Sequence, residues 1–184
     1  MAPSVDLAML AAPPLPEAFH PPHASAHPLH LQQLASTILH NLQHQHDWTL
    51  LSIHTHSEST GQLLPRPVIS GLPPRRAYIH PDEQVATLKL EHDTGTPVKQ
   101  LPEGEWVLPT HLGEKWSLKQ FAAIFDALDT IPPNDEIAHE EEGSVGRQWQ
   151  GNNRQKRLLL ATLHDDSTIV YYIMHDGIVK PRQN

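Results

Sequence analysis

The C-terminal third of the chain carries the pattern that most restricts its fold. Arg157 to Leu163 (RLLLATL) and Thr168 to Met174 (TIVYYIM) are two short apolar runs separated by a polar step at His164, Asp165 and Asp166. The second run is rich in β-branched and aromatic residues, which suit a pleated, half-buried surface. Two such runs joined by a short polar turn form an antiparallel β-hairpin. Asp176 and Gly177 turn the chain once more, and Ile178, Val179 and Lys180 are expected to make a short last strand, stopped by Pro181. Tyr171 and Tyr172 are adjacent in a strand, so they face opposite sides of the sheet. One is expected to be buried, the other exposed or at an interface.

Helical periodicity marks two further elements. Leu31, Leu34, Ile38, Leu39 and Leu42 recur at spacings of three and four, one stripe of an amphipathic helix starting near Leu29. Leu118, Phe121, Ala122, Ile124, Phe125 and Leu128 form a second stripe, with Ser117 as N-cap and Gln120 completing a Ser-x-x-Gln capping box. Pro132 and Pro133 are expected to end that helix. Trp48 to His54 is a strand, and Glu105 to Leu108 is a short strand ended by Pro109. Ser57 to Arg76 is punctuated by Gly and Pro and is expected to be a connection with at most a short strand at Val68 and Ile69. Ala77 to Ile79 is a further candidate strand, Asp82 to Leu90 fits helix or strand, and Thr94 to Glu103 is turn material. Asn134 to Asn153 is acidic and contains glycine, so an exposed loop is expected.

Composition separates a folded part from a tail. Hydrophobic residues make up only 38% of the 184, partly because there are 18 prolines and 15 histidines. Residues 1–28 hold Pro13, Pro14, Pro16, Pro21, Pro22 and Pro28 and are expected to be disordered, leaving one domain over 29–184. The formal net charge of −8 argues against a general nucleic-acid-binding surface. With no cysteine, disulfides and thiolate metal sites are excluded. No apolar run approaches a membrane span and no secretory signal pattern is present, so a soluble intracellular protein is expected.

The chemistry-bearing residues form no strong motif. His54 and His56, two apart on a strand, are expected to share a face, and His80 lies near Asp82. Neither these nor His20, His23, His27 and His30 have the spacing of a known metal site, so no metal and no cofactor is expected. His164, Asp165, Asp166 and Ser167 are consecutive at a turn, where their side chains diverge and cannot act as a catalytic triad. Arg147, Arg154, Lys156 and Arg157 form a local basic cluster with Trp149 among them. Such a loop can contact RNA backbone and stack a base, or can be an ordinary exposed loop before a strand.

At the hairpin a resemblance enters. KRLLLATLHDDSTIVYYIMHDGIVKPRQN resembles the C-terminal end of the tRNA-intron endonuclease superfamily. YIHPDEQ (Tyr78 to Gln84), EWVLPTHLGEKWSLKQFAAIFDAL (Glu105 to Leu128) and the HDGIVKPRQN ending resemble the fungal small structural subunit of the tRNA-splicing endonuclease, of the Sen-fifteen type. The resemblance covers about residues 29 to 184. It implies an α/β (α+β) endonuclease-like domain with a mixed sheet and packed helices. It also implies a place in a four-chain complex with catalytic subunits that excises introns from precursor tRNA, in the nucleus or, in fungi, in the cytoplasm or at the mitochondrial surface.

Catalytic members of the superfamily use a Tyr, a His and a Lys, which must converge on one phosphate. Here Lys156 stands near the place of the lysine, but no tyrosine lies between Leu128 and Lys156, and the only histidine there is His139. The active site is therefore expected to be lost and the chain to be no enzyme itself. An active endonuclease would instead need Tyr78, His80 or His139, and Lys156 to meet. An unrelated protein-interaction module is the third reading. Ile169, Tyr171, Ile173, Ile178 and Val179 make an apolar chain end whose open strand edge can pair with another chain. Without a partner, that edge is expected to pair with itself as a homodimer.

Overall fold

A computed structural model describes residues 26–133 and 146–177. Residues 1–25 of the expected tail, the acidic run Glu140 to Glu142, His139 and the expected last strand at Ile178 to Lys180 lie outside the described residues. Five strands form one mixed sheet in the order β1 (Thr49–His56), β2 (Leu63–Leu72), β3 (Glu105–His111), β4 (Arg157–Leu163) and β5 (Ile169–His175). Neighbours are antiparallel except β3 and β4, which run parallel. The expected α/β class holds, with the mixed sheet between helices.

Alternation along the strands sends successive side chains to two covered faces. On one face, Ile69, Val107, Leu159 and Ala161 meet Leu34, Ile38 and Leu42 of α1 (Leu29–Gln45). On the other, Val68, Trp106, Leu108 and Leu158 meet Ile124 and Phe125 of α3 (Leu118–Ala127), with Leu128 just beyond it. Both helices stand where the apolar periodicity puts them. The Ser117–Gln120 capping box is complete in both directions. Leu118 departs from the expected stripe and is 89% exposed, since it sits in the first turn, ahead of the packed part. The helix stops at Ala127, before the two prolines.

Proline hid the length of two strands. β2 has ten residues despite Pro65 and Pro67. Its registered pairing with β3 covers only Ile69 to Gly71, and its pairing with β1 shifts register between His54 and His56. The stretch with the prolines thus behaves as an edge, where a missing N–H breaks no ladder bond. β3 likewise continues through Pro109 to His111, because its pairing with β2 ends at Val107. Ala77 to Ile79 is not a strand, and Asp82 to Leu90 lies in a helix, α2 (Pro81–Thr94). The buried residues of α2 are Glu83 and Thr87, so it lacks the apolar stripe that would have declared it.

The hairpin is in register across seven pairs, from Arg157 with His175 to Leu163 with Ile169. Ser167 closes its turn at φ 69°, and its N–H donates to the His164 carbonyl. Tyr171 is the inward tyrosine: it packs beneath α1 and its hydroxyl donates to Asn41 Oδ1 at 2.6 Å. Burial raises its pKa. Tyr172 is 54% exposed.

Replacing Ser117 with Ala removes the acceptor for the Gln120 N–H. The expected cost is about 1 kcal/mol, read as a lower urea midpoint at unchanged slope.

Candidate functional site

The ends of β3 and β4 and the segments beside them are joined by buried charge. Arg157 Nη2 contacts Glu105 Oε1 at 2.5 Å and Glu103 Oε2 at 2.7 Å. Arg154 reaches the same two carboxylates at 3.7 and 3.3 Å. Arg76 contacts Glu83 at 2.5 Å and Glu103 at 3.2 Å. All six side chains are at most 5% exposed. The three cations and three anions balance, as buried charges must. Burial pushes the Glu103 carboxyl upward, but Arg76, Arg157 and Arg154 outweigh it and hold the group below the ordinary range. Gln150 Nε2 donates to Glu83 and the Gly151 N–H donates to Glu103, tying the two short 3₁₀ turns Arg147–Trp149 and Gly151–Asn153 to the same cluster. Gly146 precedes them at φ +96°, and an added Cβ would lie 2.8 Å from the Glu83 side chain.

The basic cluster of the sequence therefore divides. Arg154 and Arg157 are buried ion-pair partners, and Arg154 also donates to the carbonyls of Gly104 and Thr130. Lys156 Nζ donates to the carbonyls of Phe125 at 2.9 Å and Leu128 at 2.8 Å, where α3 ends. A cation there satisfies carbonyls that the helix leaves open. Of the four, only Arg147 is exposed. The loop expected over Asn134 to Asn153 is thus anchored at its described end, where Gly151 is buried.

Above the cluster lies a cleft of about 260 Å³ lined by Tyr78, His80, Trp149, Asn153, Arg154, Gln155, Arg157 and His175. His80 and Trp149 stack with centroids 5.5 Å apart and planes 9° apart. The His175 ring stands edge-on to Tyr78 at 4.7 Å. Burial, then Arg157 and His80, hold the His175 pKa below 6.5. Sequence reasoning missed His175 in this role, since only the β4–β5 register brings it to the cleft. Tyr78 and His80 do meet here, but Lys156, committed to α3, is not among the residues lining the cleft.

The remaining titratable groups are structural. His54 Nε2 lies 2.8 Å from Ser70 Oγ and its Nδ1 3.2 Å from Glu58. This order imitates a nucleophile, base and orienter. Ser70, however, is buried at 1% exposure and lies away from the cleft lining. Burial, partly opposed by Glu58, lowers the His54 pKa from 6.5. The register shift after His54 breaks alternation, leaving His56 exposed while His54 is buried, contrary to the shared face expected. In the hairpin turn, Asp165 faces His111 at 3.5 Å and Asp166 accepts from the Thr168 N–H, as a turn and not a triad. Among the described residues, no three His, Asp or Glu groups are placed to hold a metal ion.

The two sheet edges differ. β1 carries two register shifts, with Leu50 at φ 51°, and such irregularity blunts an edge. β5 has no register shift against β4 and lies at the opposite edge. Ile169 and Tyr171 pack under α1, Ile173 is 39% exposed, and Ile178 and Val179 lie outside the described residues.

Comparison with known proteins returns one family. A family model described as Sen15 protein matches residues 37–184. A protein of Neurospora crassa named "Probable tRNA-splicing endonuclease subunit tsp-1" is 51% identical over 155 residues, 84% of this chain and 67% of the relative. One of Schizosaccharomyces pombe named "Probable tRNA-splicing endonuclease subunit sen15" is 33% identical over 93 residues, 50% of this chain and 59% of the relative.

Two stability measurements test this electrostatic layout. Arg157→Leu strands two buried glutamates and is expected to cost roughly 3 to 5 kcal/mol in a urea titration. His54, His175 and Glu103 all have folded pKa values below their ordinary ones. The unfolded chain therefore binds more protons on acidification, and stability falls. The histidine contribution is complete above pH 6.5 and declines as pH falls through the folded values; that of Glu103 declines from 4.5 downward. Thermal melts should show this, and His54→Gln should flatten the slope just below neutrality.

Proposed function

The chain belongs to the Sen15 protein family, and from that premise we propose that it is a non-catalytic structural subunit of the tRNA-splicing endonuclease, supporting recognition and cleavage of precursor tRNA at intron boundaries. The observation that carries the non-catalytic reading is the position of Lys156. Its ammonium group is committed to the end of α3, away from Tyr78 and His80. General acid–base cleavage needs its groups on one phosphate, and these are divided between two places.

The subunit's work is assembly. The regular β5 edge, which no strand covers among the described residues, is the proposed pairing site for a strand of a catalytic or structural partner, in a complex of four chains acting in the nucleus. Tyr172 and Ile173 present apolar surface beside that edge, and Ile169 and Tyr171 brace it from beneath α1. Ile178 and Val179 extend the proposed interface. Arg147 is the exposed cation of the basic cluster and the one proposed to meet tRNA phosphate. Among the described residues, no helix is long and apolar enough to cross a membrane.

Co-purification of the tagged chain is expected to bring down catalytic endonuclease subunits. The recovered complex should cut precursor tRNA equally well with Lys156→Ala in this chain. RNA cutting by the chain alone, or capture of no nuclease subunit, would contradict the proposal. In isolation the subunit is expected to form a homodimer, and deletion of Gly177 to Asn184 should give a monomer by sedimentation. A truncated chain that still sediments as a dimer would remove the 177–184 segment from the dimer interface.

A further inference from the structure

We infer that the cleft between α2 and the end of the hairpin receives one unpaired base of an RNA strand, stacked against the Trp149–His80 pair and hydrogen-bonded by His175. The inference rests on the proposed place of this subunit in an RNA-cleaving complex and adds a base-sized site to it.

The walls are aromatic and fixed. The His80 ring is oriented by the Asp82 N–H, which donates to its Nδ1 at 3.2 Å. Trp149 lies flat against that ring and is half-buried. Flat aromatic faces of this kind stack bases without regard to sequence. The segments carrying Trp149 and Arg157 are tied to the buried ionic cluster, as is α2 through Glu83, so the platform is preformed.

The polar chemistry favours a base over a phosphate. The guanidinium groups that border the cleft are already matched by Glu103 and Glu105, which leaves little positive field for an anion. His175 Nε2 is buried with no hydrogen-bond partner among the described residues. A neutral imidazole nitrogen can donate or accept according to its tautomer, which matches the edge of a base. The charged group that bears on His175 is Arg157, which with burial opposes its protonation. The volume, about 260 Å³, lies just below the roughly 300 Å³ at which small-molecule sites begin, room for one base and not for a duplex.

The test uses the full chain labelled with ¹⁵N and a single-stranded RNA tetranucleotide. Of the four indole N–H signals, the one lost in Trp149→Leu should shift saturably on titration, while those of Trp48, Trp106 and Trp116 hold still. Inorganic phosphate should leave it unmoved. By anisotropy of a labelled tetranucleotide, Trp149→Leu should weaken binding about tenfold or more and His175→Phe several-fold, with each variant's melting temperature confirming that it folds. A Trp149 signal that ignores the tetranucleotide, or that responds equally to phosphate, overturns the inference. Trp149→Leu should still co-purify with nuclease subunits, so failure here is separate from failure of the subunit assignment.

Discussion

Six buried charges hold together the part of this molecule that hydrophobic packing does not reach. α1 and α3 are seated on the sheet by apolar contacts. α2 is not: Val85 and Leu88 are exposed, and its inward residues are Glu83 and Thr87. Arg76 grips Glu83, while Glu103 and Glu105 lead into β3 and Arg154 and Arg157 into β4. Moving such ions out of water costs several kcal/mol each. The cluster tolerates this because its charges balance and most of its polar atoms are hydrogen-bonded. Removing any one partner leaves the buried charges unbalanced.

That arrangement explains the division of labour across the surface. The arginines nearest the hairpin are spent on structure, and so is Lys156, which closes α3. Among the described residues, what remains is a strand edge at β5 and an aromatic cleft close to its end. Both are the features on which the proposed recognition role rests. Tyr78 and His80 line the cleft, while Lys156 is bonded to carbonyls at the end of α3.

Legibility in the sequence followed the source of each element's stability. α1, α3 and the hairpin declared themselves because apolar periodicity holds them, and the Ser117 cap was readable from three residues' spacing. β2 and β3 were read too short because Pro65, Pro67 and Pro109 look like stops; only pairing shows that they sit where one neighbouring strand is absent. α2 was ambiguous because its buried face is ionic, and no hydrophobic pattern records a Glu held by an arginine seven residues away. The basic run 147–157 fits an RNA surface or an ordinary exposed loop by sequence, which shows charge and not the glutamates opposite Arg154 and Arg157, some fifty residues earlier. The cleft was invisible for the same reason: His80, Trp149 and His175 are brought together by the sheet.

The central claim is that the subunit works through the β5 edge. Amide hydrogen exchange, comparing the dilute isolated chain with the chain in the complex proposed for it, tests it most directly. The account expects the amides of Ile169 to His175 to gain protection on assembly while the β1 edge stays as it was. New protection on β1, or none on β5, would contradict it.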